Sequence, residues 1–177
     1  MISYKWLSLF CLCVFAILLS YCRNNQNEEK AIPRDYKQKL ERINKVLLDK
    51  DTENIKQFIN RRGWDMKTSQ SGLWYMIYNS GEGEKVKKND LIEIKYKTWL
   101  IDGSLIYSSD SLGIKNFRVG QGGVEPGLEE GVLLLNQGSC ARFIMPPHLA
   151  HGIVGDGNKI PGRAILVYDI EVVKVNQ

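Results

Sequence analysis

Side chains able to do chemistry are sparse in this chain, and none forms a reactive constellation. His148 and His151 stand three residues apart after Pro146-Pro147, but no further ligand cluster accompanies them, so no metal centre is expected. Glu129 and Glu130 are adjacent; on a helix such neighbours point apart, so capping or solvation fits them better than paired acid–base work. The glycines of GQGG and GDGN are not set in a strand-to-helix phosphate loop. Cys11, Cys13 and Cys22 lie in or beside an N-terminal apolar segment, which leaves Cys140 alone in the body of the chain. No disulfide can form within that body, and Cys140 reads as a small buried hydrophobe on a strand. No cofactor is implied.

The elements that would carry a site fall into distinct stretches. The 24 basic and 20 acidic residues leave a net charge of +4 with no basic run longer than two, which argues against a nucleic-acid surface. Residues 22–33 are polar and close on Pro33, as a flexible tether does. Residues 34–65 read as a helical extension. Leu40, Ile43, Val46 and Leu47 recur at helical spacing; DKDTEN then interrupts them, so Asp51 or Thr52 is expected to cap a second helix carrying Ile55, Phe58 and Ile59. Gly63 can end it. From Leu73 onward the pattern turns to strands and turns. LWYMIY, LIEIKYKTWL, SLIYSS, FRVGQGG, SCARFIMP and AILVYDIEVVKV read as strands, with Asp102-Gly103 as a hairpin-type turn. PGLEEGVLLL places Leu128, Val132 and Leu135 on one face of a short helix. The expected fold class is α+β: an antiparallel twisted sheet on one short helix.

Four landmarks follow one another in this region: Y-x-x-x-L-x-D-G from Tyr96 to Gly103; F-x-V-G and V-x-x-G-L-E-E-G between Phe117 and Gly131; the A-x-G turn Ala150-His151-Gly152; and I-P at Ile160-Pro161 followed by L-V-Y-D-I-E. In this order and spacing residues 66–177 resemble an FKBP-type peptidyl-prolyl cis/trans isomerase domain. GDGNKIP, the WDM lead-in and the leader are further similar to FKBP-type lipoproteins associated with gliding motility.

The resemblance implies a proline pocket walled by Tyr96, Phe117, Val124, Leu128, Ile160 and Tyr168. Leu128 would be its floor, where many members carry Trp. Val124 and Glu125 would lie where backbone groups meet the ligand carbonyl, although Glu125 stands in for a usually apolar residue. His151 occupies the place of a carbonyl-binding Tyr, and an imidazole can donate the same bond. Two further positions depart from the pattern: Ile106 replaces an aromatic, and Tyr107 replaces an Asp that supports catalysis. The implied partners are proline-containing polypeptides. The implied reaction is peptidylprolyl isomerisation, in which an apolar pocket removes the advantage water gives the planar amide over the twisted one. A second function stays open: a non-catalytic binding or chaperone subunit of an envelope or gliding assembly.

Residues 1–21 read as a signal peptide. The apolar run from Trp6 to Leu19 falls short of the ~20 residues a spanning helix needs. Leu19, Ser20 and Cys22 resemble a lipoprotein signal, with Tyr21 where Gly, Ala or Ser is expected. Cys22 would then be acylated and hold the chain to a membrane. An uncleaved anchor helix and free secretion remain as alternatives. All three readings place the domain outside the cytoplasm; the lipoprotein reading places it in the cell envelope, membrane-anchored and facing the periplasm or exterior.

Overall fold

The computed structural model describes residues 34–176; the leader, the tether and Cys22 lie outside the described residues. By its contacts the chain divides between Asn44 and Lys45. Helix α1, Arg34–Arg62, begins in the first unit, and its remainder belongs to the second.

Where the sequence suggested two helices, α1 runs without a break. Asp51 does not cap. It is 9 % exposed, and its carboxylate accepts from Arg163 Nη2 at 2.7 Å, so it ties the helix to the loop before the last strand. The helix stops at Gly63, whose φ of +63° is the left-handed conformation glycine adopts without a Cβ penalty. Gly63 N donates to Asn60 O and Trp64 N to Ile59 O, the paired bonds of a helix C-cap.

Seven strands form a single antiparallel sheet: β1 Lys67–Thr68, β2 Trp74–Asn79, β3 Leu91–Leu100, β4 Leu105–Ser108, β5 Lys115–Arg118, β6 Cys140–Met145 and β7 Leu166–Asn176. Their order is β1-β2-β6-β7-β3-β4, with β5 also paired to β3. Two short helices interrupt them, α2 Ser109–Leu112 and α3 Pro126–Val132, and a 3-10 turn covers Pro147–Leu149.

Strand alternation builds two cores. On β7 Leu166, Tyr168, Ile170 and Val172 face one cluster with Phe143 and Met145 of β6; the intervening Val167 joins Ile144 and Ile165 in a second, as a two-residue side-chain period requires. The second cluster receives Ile55, Phe58 and Ile59 of α1. The first receives Leu128 and Val132 of α3. Close approach of α3 to the sheet depends on Gly131, where a Cβ would stand 2.6 Å from the Phe143 ring.

Candidate active site

The site lies where α3 begins, above the first core. Tyr96 comes from β3, Phe117 from β5, Leu128 from α3, Tyr168 from β7, and Ile160 from the loop ahead of β7. All five are buried in one cluster, with Leu128 at 0 % exposure. Ile106, Tyr107 and Val124 are partly buried and pack against the same cluster. The rings of Tyr96 and Tyr168 lie 6.4 Å apart and nearly parallel. The structure therefore brings these eight apolar and aromatic positions together from five elements and two loops.

Polar groups cover this cluster. Glu125 is the residue immediately before α3, yet its side chain makes no capping bond; it turns inward and is 8 % exposed. Its Oε1 accepts from the Tyr168 hydroxyl at 2.5 Å and from His151 Nε2 at 3.1 Å. Lys115 Nζ stands 3.9 Å from Oε2 and 5.0 Å from the centre of the Tyr96 ring, over which an ammonium is attracted. Lys115, Val124, Glu125, Pro126, Ala150 and His151 line a cavity of about 360 Å³.

The charges are tuned accordingly. Burial alone would raise the Glu125 carboxyl, but Lys115, the Tyr168 hydroxyl, its own backbone N–H and His151 outweigh burial and hold it below its ordinary value. Burial and the nearby Glu125 charge push the Tyr168 phenol well up, and the same two causes raise Tyr96.

A second polar pair sits beside the cluster. The Tyr107 hydroxyl donates to Asp156 Oδ2 at 2.5 Å. Asp156 Oδ1 accepts from the backbone N–H groups of Asn158 and Ile160 at 2.9 and 2.8 Å, fixing the loop that delivers Ile160 to the core. Burial acts to raise the Asp156 carboxyl, but these three donors and His151 take it down to about 2.

Lys115 and Asp156 were missed as site residues in the sequence. Lys115 had a readable signal: it stands two residues before Phe117, so the strand period puts both on one face of β5. Asp156 had a weaker one, because an Asp between glycines reads first as a turn former. The remaining reactive groups point elsewhere. Glu129 accepts from the backbone N–H of Gly120 and Gly122, Glu130 from the Ser71 hydroxyl, and His148 donates to Ser71 O. Among the described residues a further cavity, of about 290 Å³, lies between Phe58, Trp64, Trp99 and Arg142 and holds none of the expected site residues.

Comparison with known proteins agrees with this architecture. The family profile of FKBP-type peptidyl-prolyl cis-trans isomerases matches residues 82–173. The FKBP-type peptidyl-prolyl cis-trans isomerase FkpA of Aeromonas hydrophila is 34 % identical over 157 residues, covering 85 % of this chain and 58 % of the relative. The crystal structure of FkpA from Escherichia coli superposes with a TM-score of 0.61 at 26 % identity, over 93 % of this chain and 81 % of that one. The crystal structure of AtFKBP13 does so with a TM-score of 0.59 at 31 % identity, over 63 % of this chain and 98 % of that one. The chain spans about half the length of the curated relatives it matches.

Proposed function

This chain belongs to the FKBP-type peptidyl-prolyl cis-trans isomerase family, and from that premise we propose that it accelerates cis/trans rotation of X–Pro bonds in polypeptides of the cell envelope. The observation that carries the reading is the convergence of Tyr96, Phe117, Leu128, Ile160 and Tyr168 into one buried cluster, joined through the Tyr168 hydroxyl to Glu125, which lines an adjacent cavity with His151.

An X–Pro amide rotates over a barrier of about 20 kcal/mol and takes tens of seconds or longer unaided. Its planar form is polar and well hydrated; the twisted form keeps less charge on oxygen. Transfer of the prolyl ring onto apolar walls strips water from the amide and removes the preference for planarity. Walls shaped to the twisted bond lower the barrier further. The rotation makes and breaks no covalent bond and calls for no nucleophile. His151 lines the cavity, with its Nε2 held by Glu125 Oε1 at 3.1 Å, so a bond from it to the turning carbonyl would require that contact to open. Tyr107 keeps a carboxylate close by through Asp156.

One observation favours a binding subunit with little catalysis: Glu125 puts an ionised carboxylate over the apolar floor, where desolvation would otherwise be strongest. Exchange of an X–Pro peptide, followed by line shape with and without the protein, separates the two readings. The isomerase reading predicts acceleration that Tyr96→Ala and Phe117→Ala abolish. Binding with an unaltered exchange rate would leave only the binding subunit.

For location, the leader's resemblance to a lipoprotein signal supports acylation at Cys22, a membrane tether and a place among gliding-associated envelope lipoproteins. A Cys22→Ala variant should leave the membrane fraction; retention there would refute the acylation.

A further inference from the structure

Glu125 is more than nine-tenths buried, yet only one of its oxygens is served. Oε1 accepts from Tyr168 and His151. Oε2 is buried without a hydrogen-bond partner, and the nearest cation, Lys115 Nζ, is 3.9 Å away, beyond the ~3.2 Å limit of an N–H···O bond. An ionised carboxylate oxygen left short of a donor in a desolvated place is costly. Glu125 itself lines the cavity beside the proline cluster.

The gap between Oε2 and Nζ has a definite chemical complement. One hydroxyl oxygen can lie about 2.8 Å from both atoms, donating to the carboxylate and accepting from the ammonium. A side-chain carboxamide does the same with its N–H and its oxygen. A charged group fits badly: a carboxylate is repelled by Glu125 and an ammonium by Lys115. An apolar side chain leaves Oε2 as it was. Lys115 can admit the newcomer, since its side chain is 28 % exposed on a flexible stem.

We propose that Glu125 and Lys115 form a specificity subsite that selects prolyl segments carrying an uncharged hydrogen-bonding side chain (Ser, Thr, Asn or Gln) next to the proline. The inference rests on the proline-pocket reading and adds the substrate class to it. Without Glu125 the same walls are apolar, and the preference should pass to Leu.

The test is a series of short peptides with Ser, Asn, Ala, Leu, Glu or Lys on either side of one proline. Affinities are read by NMR titration of the full chain and rates by exchange spectroscopy. The Ser or Asn peptide, on one flank, should bind about tenfold tighter than its Ala and Leu counterparts, with Glu and Lys weakest. Glu125→Leu combined with Tyr168→Phe, which leaves no phenol without an acceptor, should favour Leu. Glu125→Gln, which keeps the shape, should retain the fold and shrink the Ser-over-Ala ratio severalfold. Equal affinity for all peptides, or a preference for apolar or charged flanks, overturns the subsite and leaves the proline pocket standing. Failure of every proline peptide to bind overturns both.

Discussion

Removal of the Tyr168 hydroxyl tests the polar cap over the floor most sharply. That hydroxyl is in a side chain 1 % exposed and donates to Glu125 Oε1 at 2.5 Å. A hydrogen bond to a charged group is worth ~1.5–3 kcal/mol, so Tyr168→Phe should cost about that much. Glu125→Leu strands the phenol, at about 1–3 kcal/mol for a buried unpaired donor. It also removes a carboxylate whose second oxygen was already unserved, so its net cost should fall at the low end. The double variant removes both partners and approaches an apolar contact, which is nearly neutral. The double-mutant cycle should therefore give a coupling of ~2.5–4 kcal/mol, the double being less destabilised than the sum of the singles by nearly that whole sum. Urea unfolding at neutral pH reads it as midpoint shifts at constant slope. A coupling within about 0.5 kcal/mol of zero, the usual value for independent sites, would refute the description of Glu125 and Tyr168 as a buried pair.

Other expectations can be checked with the same melts. Gly131→Ala drives a Cβ to 2.6 Å from the Phe143 ring and should cost about 1–3 kcal/mol as an overpacked core contact. Asp51→Ala breaks the bond to Arg163 and should cost about 1–3 kcal/mol, with faster hydrogen exchange in the C-terminal half of α1 as its signature. Glu125 and Asp156 both titrate below their ordinary values, 4.5 and 3.8, when folded. Their stabilisation is complete above those values and should drain away as pH falls from about 5 to about 2. Asp156→Asn should flatten the lower part of that decline; an unchanged acid limb would show that the Asp156 bonds do not form.

Much of the fold could be read from the pattern of residues. Leu91–Leu100 alternates so strongly that β3 was legible to its ends, and Pro126, Leu128 and Val132 marked α3, although the helix stops at Val132 and leaves Leu135, expected on its face, beyond its end. The helix break expected near Asp51 failed for a tertiary reason. Asp51 and Thr52 carry capping chemistry, but Arg163, distant in sequence, offers Asp51 a better partner, so the helix continues. Ile55, Phe58 and Ile59 were legible as a face, whereas the surface they cover, Ile144, Ile165 and Val167, depended on which side of β6 and β7 faced outward.

The site was legible in its apolar part and opaque in its polar part. Tyr96, Phe117, Leu128 and Tyr168 follow from the resemblance to the family pattern, and all four are buried in one cluster. The inward turn of Glu125 does not, because a carboxylate ahead of a helix is ordinarily expected to cap it. What draws it in is a set of donors from three other segments: Tyr168 on β7, His151 after the 3-10 turn and Lys115 on β5. No local pattern joins these residues. Tyr107 and Asp156 pair across 49 positions for the same reason.

The central claim is that this apolar floor turns X–Pro bonds. Exchange spectroscopy on a peptide with one resolved cis/trans pair measures it most directly. The account predicts interconversion well above the unaided rate in the presence of the full chain, and a return to that rate when Tyr96 and Phe117 are both replaced by Ala in a variant that still melts cooperatively. Wild-type exchange indistinguishable from the peptide alone would contradict it.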